Sequence, residues 1–240
     1  MSEGFFDRAE RMLGRETMDA LARLRVAVFG LGGVGSWCVE SLARSGVGHF
    51  MLVDSDVVCA SNVNRQAMAT AKTVGRVKAE ALAERLREIN PDIDLDVRQC
   101  RYCAETAAEF DLASFDYVID AIDSVEDKAL LIRNALASSN TTLFSSMGAA
   151  FKMDPFGIRH SAFRKVAGDG LARALRQRFK KGGGMPGRSF ECVWSDERRE
   201  GQSFERPCGS IVHMTASFGL ALAALVIADV ERGLRGGRKI

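Results

Sequence analysis

The sequence predicts an α/β fold: a mostly parallel sheet with helices on both faces and an elaborated C-terminal third. Three observations carry that expectation. Short apolar runs at residues 26–30, 50–54 and 117–123 alternate with stretches of helical periodicity. The first run opens into a loop holding Gly30, Gly32, Gly33 and Gly35, and the alternation changes character after residue 150. Strands alternating with helices build parallel sheets through right-handed crossovers.

Residues 26–30, apolar and ending in glycine, read as a buried parallel strand. Residues 33–46 follow as a helix in which Trp37, Val39 and Leu42 can face a sheet, and Gly46 and Gly48 break it. Residues 50–54 form a second buried strand, 55–70 a loop, and 73–90 a strong helix stopped at Asn90 by Pro91. The alternating stretch 93–99 is a third strand and 104–110 a short helix. Residues 117–123 make a fourth strand with Asp120 and Asp123 at its carboxyl end, and a helix over 125–138 and a strand over 141–145 complete five βα repeats.

Beyond residue 150, stretches 158–160 and 190–194 read as strands of a different sheet register, 171–181 as a basic helix, and 181–187 as a flexible glycine-rich loop. No linker or repeat forces a second unit. Residues 1–240 are read as one domain, with 1–150 the nucleotide-binding core and 151–240 a substrate-binding and dimerisation extension.

A net charge of +2 over 240 residues argues against nucleic-acid binding by bulk charge, so any basic surface must be local. The apolar stretch 216–228 is shorter than the ~20 residues that span a bilayer. It reads as a helix buried on all sides, in a core or a dimer interface. With no signal-type apolar segment at the N-terminus, a cytoplasmic protein with no membrane partner is expected. The cysteines at 38, 59, 100, 103, 192 and 208 are then expected as reduced thiols. Cys100 and Cys103 form a lone CxxC, whereas a structural zinc site wants a second pair nearby.

The glycine loop admits more than one ligand. Gly30, Gly32 and Gly35 with Asp54 fit a dinucleotide fingerprint: the backbone turns tightly, the helix N-terminus offers N–H groups to phosphate, and the aspartate holds a ribose. By itself this favours NAD or FAD. Asn62, Arg65 and Lys78 place an amide, a guanidinium and an ammonium near the same strand ends, and Asp123 adds a carboxylate suited to Mg²⁺. A redox dinucleotide does not need two such cations. A triphosphate does.

The set formed by Gly30, Gly32, Gly33, Gly35, Asp54, Asp56, Asn62, Arg65, Gln66, Lys78, Asp120 and Asp123 resembles the ubiquitin-activating-enzyme (ThiF/MoeB-like) superfamily, which includes the thiamin and molybdopterin sulfur-carrier adenylyltransferases. Within it the chain is most similar to the bacterial tRNA threonylcarbamoyladenosine dehydratases, on the stretches 33–37, 117–124, 153–155 and 192–195. The resemblance implies a Rossmann-like fold that binds ATP and Mg²⁺. Asp54 is implied to hold the ribose, with Asp56 beside it, Gly30 to Gly35 the phosphates, Asn62, Arg65 and Lys78 the triphosphate, and Asp123 the metal. It further implies a homodimer in which Arg8 reaches the partner's ATP, with Arg11 as a substitute, and a tRNA partner served by a cysteine-desulfurase-type sulfur system. The molybdopterin relatives carry paired CxxC motifs that are absent here, which argues against sulfur transfer to a carrier protein.

The implied reaction activates the carboxylate of threonylcarbamoyladenosine as an acyl adenylate and closes a ring with loss of water. The rivals are adenylation of a ubiquitin-like carrier's C-terminus and an NAD-dependent oxidoreductase. Cys208, just before the apolar stretch, is the candidate for a covalent thioester step. Cys192 reads as structural, Gln66 is left unassigned, and His213 reads as a satisfied core histidine. For tRNA, Arg173, Arg176, Arg178, Lys180 and Lys181 on one helix, with Arg232, Arg235, Arg238 and Lys239 in the tail, supply a local cationic surface.

Overall fold

The computed structural model describes residues 4–198 and 208–236. Helices α1 (Asp7–Leu13) and α2 (Arg15–Arg23), which the sequence reading passed over, lead into β1 (Arg25–Phe29). The chain continues through α3 (Gly35–Arg44), β2 (His49–Val53), α4 (Lys78–Ile89), β3 (Asp94–Arg98), β4 (Tyr117–Asp120), α5 (Val125–Ala137) and β5 (Thr142–Ser146). The C-terminal third holds β6 (Arg159–Ala162), α6 (Gly170–Lys181), β7 (Glu191–Trp194) and α7 (Val212–Arg235).

The described strands form one seven-stranded sheet in the order β3-β2-β1-β4-β5-β7-β6. All neighbours are parallel except β6 against β7. The two late strands therefore extend the same sheet rather than forming one of different register. β7 continues the parallel ladder from β5, and β6 closes the edge. Strand order reverses between β1 and β4, the position where an open α/β sheet leaves a crevice for ligand.

Alternation along the strands builds two cores. Val26 and Val28 face one side with Val39 and Leu42 of α3, Leu82 and Leu86 of α4, and Phe218, Leu222 and Val226 of α7. Ala27 and Phe29 face the other side with Leu131 and Ile132 of α5 and Leu175 and Phe179 of α6. Period-2 side-chain alternation against helices on both faces is the three-layer arrangement expected of a parallel sheet.

Three elements differ from expectation, each for a physical reason. The helix expected from residue 73 begins at Lys78, because residues 75–78 are drawn into pairing with the loop before them. Gly75 N–H bonds Val58 O at 2.8 Å, Val58 N–H bonds Arg76 O at 2.8 Å, and Gly75 takes φ +89°. The strand expected to reach residue 123 stops at Asp120, whose own carboxylate accepts the Ile122 N–H and turns the chain, leaving Asp123 in a loop. The expected helix over 104–110 is reduced to a 3₁₀ turn at Ala107–Glu109.

Helix α7 is 24 residues, longer than the apolar stretch that announced it, and by length and composition alone it could cross a membrane. It is not buried on all sides: Phe218, Leu222 and Val226 have no solvent contact, while Leu220 is 48% exposed. Its buried face meets α3 backbone to backbone. A Cβ on Gly219 would lie 2.4 Å from Val34 O.

Candidate active site

A cleft of about 1250 Å³ opens at the carboxyl ends of β2, β1, β4 and β5. It exceeds the usual span of roughly 300–1,000 Å³ for a single small-molecule site, leaving room for a nucleotide and a second reactant. Its floor is the glycine loop after β1. Gly30 takes φ +87°, and a Cβ there would lie 2.7 Å from Ala121 O, so the loops after β1 and β4 touch through backbone alone. Gly32 and Gly33 line the cleft with Gly30. Gly35 does not: it starts α3 beneath the loop, where a Cβ would stand 1.9 Å from Gly30 O. Its task is packing rather than phosphate contact.

Asp54 follows β2. Its Oδ2 accepts the Leu31 N–H at 2.7 Å and its Oδ1 the Asp56 N–H at 2.9 Å, which aims the carboxylate along the glycine loop. Burial raises its pKa, while Lys78 and those two N–H bonds pull it back part of the way. Lys78, placed at the start of α4 by the late helix start, is buried with Nζ 2.7 Å from Asp56 Oδ2 and 3.9 Å from Asp54 Oδ1. Asp56, with a side chain 64% exposed, is thus the counter-ion of Lys78.

Asn62 is buried, and its Oδ1 accepts the Cys59 N–H at 3.0 Å, fixing the turn that carries Arg65. Arg65 lines the cleft and donates to Ser61 O at 2.8 Å and Asn64 Oδ1 at 3.1 Å. Trp37, expected to face the sheet, instead donates its indole N–H to Arg65 O at 2.9 Å. Trp37→Phe keeps the ring and removes that bond, so it should raise the ATP Kd by roughly five- to tenfold, the worth of about 1 kcal/mol, measurable by calorimetry with a non-hydrolysable analogue.

Gln66, left unassigned by the sequence, is buried in the cleft wall, and its Oε1 has no hydrogen-bond partner among the described residues. Its Nε2 lies toward the glycine loop, 4.0 Å from where a Gly32 Cβ would stand. A buried amide left unmatched beside an anion-binding loop fits a site completed by a polar ligand.

After β4, Asp123 lines the cleft from the loop beginning at Ala121. That loop is underpinned by groups the sequence did not single out. Lys128 on α5 is wholly buried and pairs with Asp120 at 2.8 Å, while also donating to Ile122 O at 3.0 Å. Ser145 Oγ donates to the same Asp120 at 2.7 Å. Asp120 is thereby structural, and Asp123 is the carboxylate of this loop that lines the cleft. Among the described residues no cluster of three His, Cys, Asp or Glu side chains is arranged to hold a metal. A single carboxylate sharing Mg²⁺ with phosphate oxygens suits that ion, which keeps much of its water shell.

On the β5 side the wall is Ser146, Met147, Gly148, Ala149 and Ala150, and Cys208 and Ser210 also line the cleft. Cys208 is exposed at the rim, four residues before α7 begins. Asn64 Nδ2 donates to Ser210 O at 2.9 Å, which joins this rim to the loop of Arg65. Cys192 is buried within β7, its thiol pushed well up by burial, and is structural. His213 lies in the first turn of α7 rather than in the core, with a ring nitrogen 3.0 Å from Met153 O.

Arg8 does not line the cleft. Phe6, which begins α1, packs beside Gly46, at the end of α3 remote from the glycine loop. The basic surface is smaller than expected. Arg176 donates to Phe163 O and Val166 O, and Arg178 pairs with Glu126. Arg173, Lys180 and Lys181 remain exposed on α6. In the tail Arg232 and Arg235 pair with Asp229 and Glu231, and Arg238 and Lys239 lie outside the described residues.

Residues 6–231 match the ThiF family. The chain is 40% identical over 192 residues to the tRNA threonylcarbamoyladenosine dehydratase of Bacillus subtilis, covering 80% of this chain and 74% of that one. It is 38% identical over 197 residues to the Escherichia coli dehydratase of the same name, covering 80% and 73%. The crystal structure of the E. coli enzyme in complex with ATP superposes with a TM-score of 0.86 at 34% identity, covering 96% of this chain and 95% of that one. The sulfur carrier protein adenylyltransferase of Thermus thermophilus is 33% identical over 145 residues, covering 58% and 53%.

Proposed function

The chain belongs to the ThiF family, and from that membership and its cleft we propose an ATP-dependent tRNA threonylcarbamoyladenosine dehydratase. The observation that carries the reading is the convergence of Lys78, Arg65, Asp54 and Asp123 on a glycine loop, in a cleft whose β5 side is left for a second reactant. Asp54 receives the ribose of ATP, and the Gly30–Gly33 backbone, Arg65, Asn62 and Lys78 receive the phosphates. Asp123 would hold Mg²⁺, and that ion would supply neutralisation of phosphate charge.

A carboxylate is a poor electrophile, and the task of these residues is alignment and charge stabilisation. The carboxylate oxygen of the threonylcarbamoyl group attacks the α-phosphorus and pyrophosphate leaves. A nucleophile within the same modification then attacks the acyl carbon, and AMP departs with the former carboxylate oxygen. The organic product has lost one water, and ATP has become AMP and pyrophosphate. In a two-step variant the Cys208 thiolate displaces AMP as a thioester and is released on ring closure.

The functional unit is a homodimer in the cytoplasm. Arg8, remote from its own cleft, serves the partner's nucleotide, and exposed Arg173, Lys180 and Lys181 meet tRNA phosphates. A cysteine-desulfurase-type sulfur system is the accompanying partner. Exchange of labelled pyrophosphate into ATP tests the adenylation step. It should depend on tRNA bearing threonylcarbamoyladenosine, and exchange driven instead by a ubiquitin-like carrier would replace this reading with the adenylyltransferase one.

A further inference from the structure

Four consecutive residues beyond the β5 wall hold together parts of the chain that are otherwise far apart. Phe151 has φ +56°, the one positive value on a non-glycine residue among those described. Side chains occupy that region only where their surroundings enforce it, and such residues concentrate at functional sites. The Phe151 N–H bonds Gly209 O at 2.9 Å, and its ring lies 3.4 Å from where a Gly209 Cβ would stand. Gly209 follows Cys208 directly.

The next residue, Lys152, is buried. Its ammonium donates to Ser195 O at 2.7 Å and Glu197 O at 3.3 Å, and lies 3.8 Å from Asp169 Oδ2. The Glu197 carboxylate accepts the N–H of Met153 at 2.8 Å and that of Asp154 at 2.9 Å. Met153 O faces the His213 ring in the first turn of α7. Asp169 caps α6 through the Ala172 N–H at 2.8 Å and stands 3.3 Å from where a Gly148 Cβ would be, behind the cleft wall.

None of Phe151, Lys152, Met153, Asp154, Asp169 or Glu197 lines the cleft. They join the exit of β7, the starts of α6 and α7, and the backbone beside Cys208. A buried ammonium is a poor device for stability, since an apolar residue of similar volume often serves as well or better. A strained φ works against stability outright. Both occur in adjacent residues next to the rim that carries Cys208.

We propose that residues 151–154 act as a clasp that positions the acceptor side of the cleft, with Phe151 and Lys152 setting where Cys208 and the wall at 148–150 stand relative to the nucleotide. The sheet order assigns the side. The glycine loop and Asp54 follow β1 and β2, whereas the clasp follows β5, two strands from β1. Lys152 and Phe151 are positioning residues and touch neither reactant. The inference rests on the adenylating reading only for which reactant occupies the β5 side.

The test compares Lys152→Met, Lys152→Arg and Phe151→Gly in the full-length protein. Iodoacetamide labelling with peptide mapping reads the Cys208 rate, a fluorescent ATP analogue reads nucleotide Kd, and steady-state kinetics read the KM for modified tRNA. Lys152→Met should change the Cys208 rate and the tRNA KM by about tenfold, a size that small misplacements reach, with nucleotide Kd unchanged. Lys152→Arg should recover much of the loss. Phe151→Gly keeps the backbone conformation and removes the ring from Gly209, so it should shift the same readouts even where Lys152→Met fails to fold. An unchanged Cys208 rate in Phe151→Gly and in a folded Lys152 variant overturns the clasp, as does a parallel loss of nucleotide binding. Labelling and nucleotide Kd need no tRNA. Wild-type protein inert toward tRNA would therefore sink the dehydratase reading, while the clasp would still be judged on the Cys208 rate.

Discussion

Lys78→Met is expected to lower kcat/KM for ATP by about 10²–10³-fold, the usual size for loss of one preorganised group that stabilises developing charge. Lys78 is buried at the first residue of α4 and held between Asp56 at 2.7 Å and Asp54 at 3.9 Å. In the proposed reading an ammonium so placed would meet the triphosphate with little reorganisation, its charge less screened than in open water. Its loss also leaves two carboxylates facing each other. Burial already raises the Asp54 pKa, and Lys78 is the largest influence holding it down. In the variant that pKa must rise further, so the carboxylate form is lost at a higher pH on acidification. The acid limb of the ATP Kd–pH profile should therefore move to higher pH. A loss below threefold, or an unmoved acid limb, would count against Lys78 as the phosphate cation.

Lys128→Met should be the most destabilising single change, at about 3–5 kcal/mol, the cost typical of stripping one partner from a buried ion pair. Lys128 and Asp120 have no solvent contact and sit 2.8 Å apart. Without the ammonium, the Asp120 charge retains only the Ile122 N–H and the Ser145 hydroxyl. Against a total stability of roughly 5–15 kcal/mol this is a large share. It should appear as a fall in Tm of about 6–20 °C. Asp120→Asn combined with Lys128→Met removes both charges and should recover part of the loss. A double variant less stable than Lys128→Met would show that the pair is not the source of the effect. The loop at 121–124 carries Asp123 and supports Gly30, so Lys128→Met should also weaken nucleotide binding below its melting range.

That Gly30, Gly32, Gly33, Asp54, Arg65, Lys78 and Asp123 share one cleft was legible in the sequence, because glycines stand where backbone meets backbone and charged residues fall at strand ends. Gly30 illustrates this: the φ and the 2.7 Å approach to Ala121 O leave no room for a side chain. Gly35 shows the limit of the pattern, since a required glycine was read as a phosphate contact when it serves packing. The late start of α4 did leave a signal that the reading missed: Thr73, Val74, Gly75 and Val77 are poor helix formers, and this stretch pairs instead with residues 56–58. Asp120 and Asp123 looked alike, and only the buried ammonium of Lys128 separates them. That residue did leave a signal: it lies four residues before Ile132 and seven before Ala135, on the apolar stripe of α5. The basic helix misled in the other direction. Arg176 and Arg178 share its charge but are taken up by carbonyls and by Glu126. The clasp at 151–154 had no sequence pattern, because its partners at 169, 195–197 and 209 meet only in the fold.

The strongest test is the mass of the nucleoside after tRNA carrying threonylcarbamoyladenosine is incubated with the protein, ATP and Mg²⁺. The proposed chemistry predicts a nucleoside lighter by one water, with one AMP and one pyrophosphate formed for each ring closed. An unchanged nucleoside under conditions where the protein binds ATP would contradict it.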